Sequence, residues 1–126
     1  MALVGTTKGE WLARGVFRQE WTSFNALGAG QAMDGAMLPD KSVHVQGTWG
    51  TGTTTLVIQG SNTATSITST GGTWFTLNDP QGNALSFATG KIEQILENTK
   101  YVRPRLTAKS ATTDLTVAIV AQSVKR

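Results

Sequence analysis

The chain has 126 residues and a formal charge of +3, so it fits one domain and lacks the strongly basic balance of nucleic-acid-binding domains. It contains no cysteine, which excludes thiolate metal sites, cysteine nucleophiles and disulfides. No stretch approaches the roughly 18 apolar residues of a membrane-spanning helix, and the 14 glycines favour strands and turns. We expect a small β-protein with no cofactor, no metal, no membrane partner and no nucleic-acid partner.

The first 39 residues show no regular hydrophobic period. We interpret Met1–Gly9 as a flexible arm, Arg14–Phe24 as a strand and Asn25–Pro39 as a long, partly ordered connection. A connection of this length in a small domain is usually functional or ordered by a partner. We expect residues 1–39 and the β-sandwich of residues 40–126 to form a single domain overall.

The N-terminal part contains four aromatic residues separated by charged residues, namely Trp11, Phe17, Trp21 and Phe24. They either cover the core of the domain or bind another subunit. Aromatic residues and methionine are enriched at the centres of protein interfaces, and Met33 and Met37 follow nearby. The aromatic residues are therefore candidate interface residues, with both interpretations open.

Residues 40–126 carry strand signals about every ten residues, which is typical of a β-sandwich or barrel. Alternation places His44 on the polar face of its strand. The same rule predicts pairs or triplets of apolar residues on one face of each strand, namely Val43, Val45 and Trp49; Leu56 and Ile58; Phe75 and Leu77; Leu85 and Phe87.

Three later segments complete the prediction of the fold. Residues 91–98 fit both helical spacing and strand alternation, and their neighbours favour a strand. Pro104 predicts that its strand is an edge strand or contains a bulge, whereas "DLTVAIVAQ" is apolar on both faces and predicts a central strand. We therefore expect an all-β antiparallel β-sandwich of seven to nine short strands with an extended N-terminal arm.

The segment Asp79–Asn83 has the residue preferences of a type I turn. Asp79 can accept hydrogen bonds from the backbone N–H groups ahead of it, and Gly82 or Asn83 can adopt positive φ. A calcium site needs several oxygen ligands, whereas Asp79 is the only carboxylate in this loop. We predict a turn between two strands and no metal site.

Catalysis has no positive signal in the sequence. His44 is the only histidine, and its sequence neighbours supply no nucleophile and orienting acid for a catalytic triad. The eight acidic residues contain no pair marked out for glycoside hydrolysis, and the glycine-rich stretches lack the Lys-Ser/Thr of a phosphate-binding loop. We expect that the protein is not an enzyme.

Tyr101, Arg103 and Arg105 alternate along one strand and therefore share a face. They form either a solvated polar face or a patch that binds an acidic partner. We include them with the aromatic residues as candidate interface residues.

Four segments resemble a group of small virion proteins of tailed bacteriophages, and these are "LVIQGSN", "TWFTLNDPQGNALSF", "ENTKYVRPRLTA" and "TTDLTVAIVAQ". Members of the group carry a "QGSNDG..W.TL.D..GNAL" stretch and a "YIRP" strand before a "TDLTV" closing strand. The similarity spans residues 43–122, and "TATSITSTGG" replaces the shorter "DGG" of the group. Residues before 40 lie outside the resemblance.

The resemblance implies a capsid decoration or cement protein, a jelly-roll-like β-sandwich that bridges subunits of the major capsid protein on the virion surface. A sandwich with edge strands and an aromatic arm is also expected to be a homo-oligomer, as a dimer or trimer. Two alternatives are a neck or tail subunit, and a carbohydrate-binding module in which Trp49 or Trp74 stacks on a sugar ring.

Overall fold

A computed structural model of the protein describes residues 3–35, 38–69 and 71–123. These residues form eleven strands in two antiparallel sheets, which confirms the predicted all-β sandwich. Within the same residues, no helix is long and apolar enough to cross a membrane. The jelly-roll connectivity stays a prediction.

The strands fall into two groups by length, because seven have five to nine residues and four have two. In chain order they are β1 (Thr6–Ala13), β2 (Val16–Phe24), β3 (Gly28–Ala29), β4 (Met33–Asp34), β5 (Asp40–Thr48), β6 (Thr55–Ser61), β7 (Phe75–Thr76), β8 (Ser86–Phe87), β9 (Lys91–Ile95), β10 (Tyr101–Ala108) and β11 (Asp114–Gln122). The number exceeds the predicted seven to nine because the sequence does not predict β1, β3 and β4, whereas β7 and β8 lie where it predicts strands. The pairings β3 and β4 have two residues each. Such short pairings are too brief to produce an alternating pattern.

The first sheet has the strand order β1-β2-β11-β5-β9. Its central strand is β11, as the two apolar faces of "DLTVAIVAQ" predict. Leu115, Val117 and Ile119 of this strand are buried in the core, whereas Thr116 and Ala118 on the outer face are half-buried. Strand β9 confirms the preference for a strand over a helix at its position.

Strand β1 lies where the sequence predicts a flexible arm, so that prediction is wrong from residue 6 onward. Thr6 pairs with Thr22, and Glu10 pairs with Arg18, in an antiparallel hairpin with β2. The sequence hides this strand because β1 is at the edge of the sheet and most of its side chains are exposed. An edge strand without a buried face has no alternation of apolar and polar residues to reveal it.

A bulge in β2 turns two aromatic residues toward the core. Trp21 and Phe24 are three positions apart, so regular alternation would place them on opposite faces of the sheet. Their partners on β11, Val117 and Leu115, are only two positions apart. Ser23, which lies between Trp21 and Phe24 on β2, has a φ of 54°. The extra residue brings both aromatic side chains inward, where neither is exposed to solvent.

The second sheet has the order β3-β10-β6-β7, with β4 also paired to β10 and β8 to β6. Strand β10 therefore has partners on both sides and is not an edge strand. The other predicted alternative, a bulge, occurs two residues beyond Pro104, where the register with β6 shifts between Leu106 and Ala108. The carbonyl of Pro104 accepts a hydrogen bond of 3.0 Å from the Gly30 N–H, so the proline nitrogen faces the gap between β3 and β4. A residue without an N–H is tolerated there because the neighbouring strand is interrupted.

The core between the sheets confirms most of the predicted faces. Val43, Val45, Leu56, Ile58, Leu77, Leu85 and Phe87 are all buried, and Trp49 packs partly buried against them. Phe75 is the exception: it is 71% exposed while Leu77 is buried, because β7 ends at Thr76 and the chain leaves the regular alternation.

A buried lysine fixes the long connection between β2 and β5. The Lys41 side chain is 1% exposed, and its ammonium donates to the Gly35 carbonyl at 2.8 Å, the Leu38 carbonyl at 3.1 Å and Asn98 Oδ1 at 2.8 Å. These three acceptors match the three donors of an ammonium group. The connection is therefore tied to β5 and to the segment after β9. Met37 lies outside the described residues.

Candidate functional site

Exposed apolar side chains are concentrated on the edge strands of the sandwich. Within the described ranges, the large ones are Trp11, Leu12, Leu27, Ile67, Phe75, Ile92 and Leu96. Leu27 and Ile67 lie in loops, whereas the others lie on β1, β7 and β9 or directly after β9. Because edge strands usually carry charges that discourage further pairing, apolar edges indicate surfaces that bind another protein.

The first of these surfaces is the edge formed by β1. Trp11 is 55% exposed, and its ring meets that of Phe17 edge to face, with 5.1 Å between the ring centroids. Both rings line an apolar cavity of about 310 Å³ together with Met33, Leu38 and Ile67. Two of the predicted interface residues, Trp11 and Phe17, are therefore brought together at the surface.

The other two aromatic residues of the N-terminal part belong to the core. Trp21 and Phe24 are fully buried, and Trp21 Nε1 donates to the Gln31 carbonyl at 2.8 Å. They cannot bind another subunit without unfolding the sandwich, so the interface interpretation is wrong for these two residues. The bulge at Ser23 is the reason, because it directs both rings inward.

The second region with exposed apolar side chains, which we call the β7–β9 surface, comprises Phe75 on β7 of the second sheet, Ile92 on β9 of the first sheet and Leu96 directly after β9. All three are more than half exposed. Ile92 pairs with His44 on the outer face of the first sheet, and strand alternation places Leu96 on the same side of the chain as Ile92. This surface lies on the edge opposite β1, because β9 ends the first sheet on the other side.

Hydrogen bonds hold the β7–β9 surface together across the two sheets. The Leu96 N–H donates to the Asn78 carbonyl at 2.8 Å. The Glu97 carboxylate accepts two bonds of 2.7 Å from Asn78, one from its backbone N–H and one from its side-chain amide. The chain after β9 is therefore joined to the chain after β7, so the apolar side chains stand on a rigid support.

The loop Asp79–Asn83 is a turn, as the sequence predicts. Asp79 Oδ1 accepts bonds of 2.9 Å from the N–H groups of Gln81 and Asn83, and the Gly82 N–H donates to the Asp79 carbonyl at 3.0 Å. Gly82 has a φ of 87°. The bond from the Asn83 N–H is the main cause of a lowered pKa for Asp79. Across the described residues no group of three or more His, Asp or Glu side chains could hold a metal ion.

Replacing Asp79 with alanine is expected to lower the melting temperature at neutral pH, because two backbone N–H groups of the turn lose their acceptor. A lowered pKa means that the carboxylate stabilises the fold fully above its ordinary pKa of 3.8, and that this contribution is lost as the pH falls through the folded-state value. The difference in melting temperature between Asp79→Ala and the unaltered protein should therefore shrink at acidic pH. Calcium or a chelator should leave both melting temperatures unchanged, and a chelator-induced drop would contradict the turn assignment.

The predicted patch of Tyr101, Arg103 and Arg105 is not a set of three free side chains. Arg103 is 5% exposed, its guanidinium lies 3.8 Å from the Trp74 ring centroid, and its Nε donates to Gln59 Oε1 at 3.0 Å. Burial, together with the charge of Arg105, lowers the pKa of Arg103 to about 10. Tyr101 and Arg105 are half-buried. Arg103 therefore supports the fold beneath Trp74 and is not available to a partner.

The remaining candidate residues lie in separate places. His44 is exposed on the outer face of β5. Trp49 packs against the core, so it does not present a free ring for sugar stacking, and Arg103 covers one face of Trp74. The sequence analysis missed Lys41, whose position before the alternating Val43 and Val45 was a usable signal for a buried side chain.

Comparisons with known proteins found no match to this chain among family models, curated proteins or solved structures.

Proposed function

We propose that the chain is a non-enzymatic structural subunit of a tailed-bacteriophage virion, a capsid decoration protein that binds the major capsid protein through the β7–β9 surface. The sequence segments that resemble small phage virion proteins support this proposal. The structural observation that carries it is the presence of exposed apolar residues on the edge strands at both sides of a rigid sandwich.

The β7–β9 surface has the chemistry of an interface core. Phe75, Ile92 and Leu96 carry no charge and stand on a support fixed by the bonds between Asn78 and Glu97. Burying such side chains contributes about 1.5–3 kcal/mol each before the cost of association. Exposed ion pairs contribute only about 0–1 kcal/mol each and are weakened by salt. Apolar contact therefore accounts for retention, whereas the charge of +3 affects mainly the rate of association.

A decoration protein stabilises a shell by binding only the assembled state. Local opening of the shell must then break the added contacts as well, so the assembled state gains free energy by mass action. A sandwich with an apolar surface on each of two opposite edges can contact two neighbours at once. This geometry suits a subunit that bridges others.

Pelleting with capsids of the phage that encodes the chain tests this proposal. The variant Phe75→Ser/Ile92→Ser/Leu96→Ser is expected to lose retention on capsids, because its apolar contact area is gone. Leu27→Ser is the matched control, since Leu27 is 59% exposed but lies in a loop away from β7 and β9. Raised salt should slow binding and leave bound protein in place. Equal retention of the triple variant and the unaltered protein would refute the assignment of the β7–β9 surface.

A carbohydrate-binding module is the second candidate, and a different observation favours it. Phe75 lines an open cavity of about 710 Å³, and most of the other residues around it have polar side chains, with Asn62, Thr73 and Glu97 among them. An exposed ring beside hydroxyl and amide groups is a platform on which a sugar can stack. Binding of soluble oligosaccharides that Phe75→Ser abolishes, combined with no retention on capsids, would select this candidate.

A further inference from the structure

Strand β1 ends the first sheet, and half of its backbone N–H and C=O groups point away from β2. The strand is eight residues long. It carries two exposed apolar side chains, Trp11 and Leu12. A long edge strand with these features is a template for pairing with another strand.

We infer that the occupant of this edge is a second copy of the chain, whose β1 pairs antiparallel with the first and places Gly9 of both copies on the two-fold axis. This inference deepens the proposed function, because it supplies the oligomer that would bridge capsid subunits. It rests on charge, side-chain size and the availability of edges in the described structure.

Charge complementarity selects the register. With Gly9 on the axis, Lys8 lies directly opposite Glu10 of the second copy, and Glu10 lies opposite Lys8 of that copy. Within one chain Lys8 is already opposite Glu20, and Glu10 forms an ion pair with Arg18. The pairing therefore creates two rows of alternating charge, each running from Glu20 and Lys8 of one copy to Glu10 and Arg18 of the other. Opposite charges in directly facing positions stabilise a sheet, and like charges destabilise it.

A lone edge lysine usually prevents such pairing. Here the two-fold register turns Lys8 into an attractive group, because its facing residue is a carboxylate. Pairing centred on Lys8 or Glu10 would bring like charges together at the axis. Only the register centred on Gly9 joins opposite charges on both sides of it.

Side-chain size supports the same register on the other face of β1. Gly9 has no side chain, and a Cβ placed there would lie 2.5 Å from Phe17 Cζ, so the Phe17 ring occupies the space above this glycine. Trp11 faces Thr7 of the second copy and lies diagonally from its Gly9. The exposed indole is therefore covered by the second copy, with no bulky residue in its way.

The other edge strands are less suited to this pairing. Strand β9 has five residues, and the next N–H along the chain, that of Leu96, is already bonded to Asn78. Strands β3, β4 and β7 have two residues each. Pairing through β1 joins two five-stranded sheets into one and leaves a β7–β9 surface at each far end. A dimer of this form binds two capsid positions together, with the gain in retention expected of a bivalent ligand.

Sedimentation velocity at micromolar concentration tests the inference. We expect the unaltered protein to be a dimer. Lys8→Glu and Glu10→Lys each turn both cross-axis pairs into like-charge pairs, so each variant alone should dissociate with a Kd raised at least about tenfold. An equimolar mixture of the two variants restores opposite charges across the axis and should dimerise again. Arg18→Gln is the matched control: it removes the ion pair with Glu10 inside one chain, keeps the cross-axis pairs and should still dimerise.

A second measurement is independent of the charge variants. The natural chain has no cysteine. A mixture of Lys8→Cys and Glu10→Cys chains under mild oxidation should form disulfide-linked dimers far more than either chain alone, because the Cβ atoms of facing residues lie about 4.5–5.5 Å apart and those of diagonal residues about 7–8 Å apart. A monomeric unaltered protein, a mixture that stays monomeric, or cross-linking no greater in the mixture than in either chain alone would each overturn the inference. The proposed function is tested independently of the dimer. If the unaltered protein does not pellet with capsids, the proposed function is wrong, whether the protein is a monomer or a dimer.

Discussion

Replacing Trp21 with alanine is expected to lower the free energy of unfolding by about 3–5 kcal/mol. Trp21 is fully buried between the sheets, and its indole N–H is bonded to the Gln31 carbonyl. The substitution leaves a cavity and an unpaired carbonyl. Urea unfolding followed by circular dichroism measures the change.

Trp11→Ala is the matched control for this substitution, because the same side chain is removed from a site that is 55% exposed. Measured on dilute, monomeric protein, it should cost less than about 1 kcal/mol. Equal losses for the two variants would contradict the assignment of Trp21 to the core and Trp11 to the surface. The same assignment predicts that deletion of residues 1–24 unfolds the sandwich, since β2 pairs along most of β11.

Lys41→Met is the second substitution with a large expected effect, a loss of about 2–4 kcal/mol. Methionine has a similar length but no donor, so the carbonyls of Gly35 and Leu38 and the side chain of Asn98 lose their shared partner. Lys8→Met is the control, because Lys8 is exposed on β1. Similar unfolding free energies for Lys41→Met and the unaltered protein would contradict the role of Lys41 as an anchor.

The unaltered protein and Lys41→Met should differ in how their free energies of unfolding change at alkaline pH. Burial lowers the pKa of Lys41 from its ordinary value of 10.5. At a pH between the folded-state and the unfolded-state pKa of Lys41, the unfolded chain binds more protons than the folded one. The free energy of unfolding therefore rises with pH in this window. Below the window, the full cost of burying the charged ammonium is present. Lys41→Met lacks this group. The stability difference between the two proteins should therefore grow as the pH approaches 10.5, and a constant difference would contradict the lowered pKa.

The sequence predicts those parts of the fold that local patterns determine. The buried faces of β5, β6 and β11 follow from alternation, and the turn at Asp79 follows from the backbone preferences of Asp, Pro and Gly. Each of these signals lies within about ten consecutive residues, so no knowledge of the partner strand is needed.

Features that depend on distant residues could not be predicted in this way. Arg103 is buried only because Trp74 stacks on it and Gln59 accepts its hydrogen bond. Lys41 meets Asn98 across a separation of 57 residues. Pro104 tolerates a central position because the strand beside it is broken. In each case the deciding group lies in a strand or loop far along the chain.

The candidate site was predicted in part. Trp11 is exposed, Phe17 is half-buried, and both line one cavity, so their role as interface residues stays a prediction. Trp21 and Phe24 are also aromatic, but they lie on β2 inside the sheet and the bulge at Ser23 turns both rings inward, whereas Trp11 lies on the edge strand β1 and stays exposed. The sequence does not predict the β7–β9 surface, because the chain after β7 and the chain after β9 are joined only through the bonds of Asn78 to Leu96 and Glu97, which link residues about 19 positions apart.

Electron cryomicroscopy of capsids incubated with the protein tests the central claim most directly. We expect added density on the outer surface of the shell, in which Phe75, Ile92 and Leu96 face the major capsid protein and β1 points toward a second copy of the chain. Capsids without added density, density confined to the neck or tail, or bound protein whose β7–β9 surface faces solvent would contradict it.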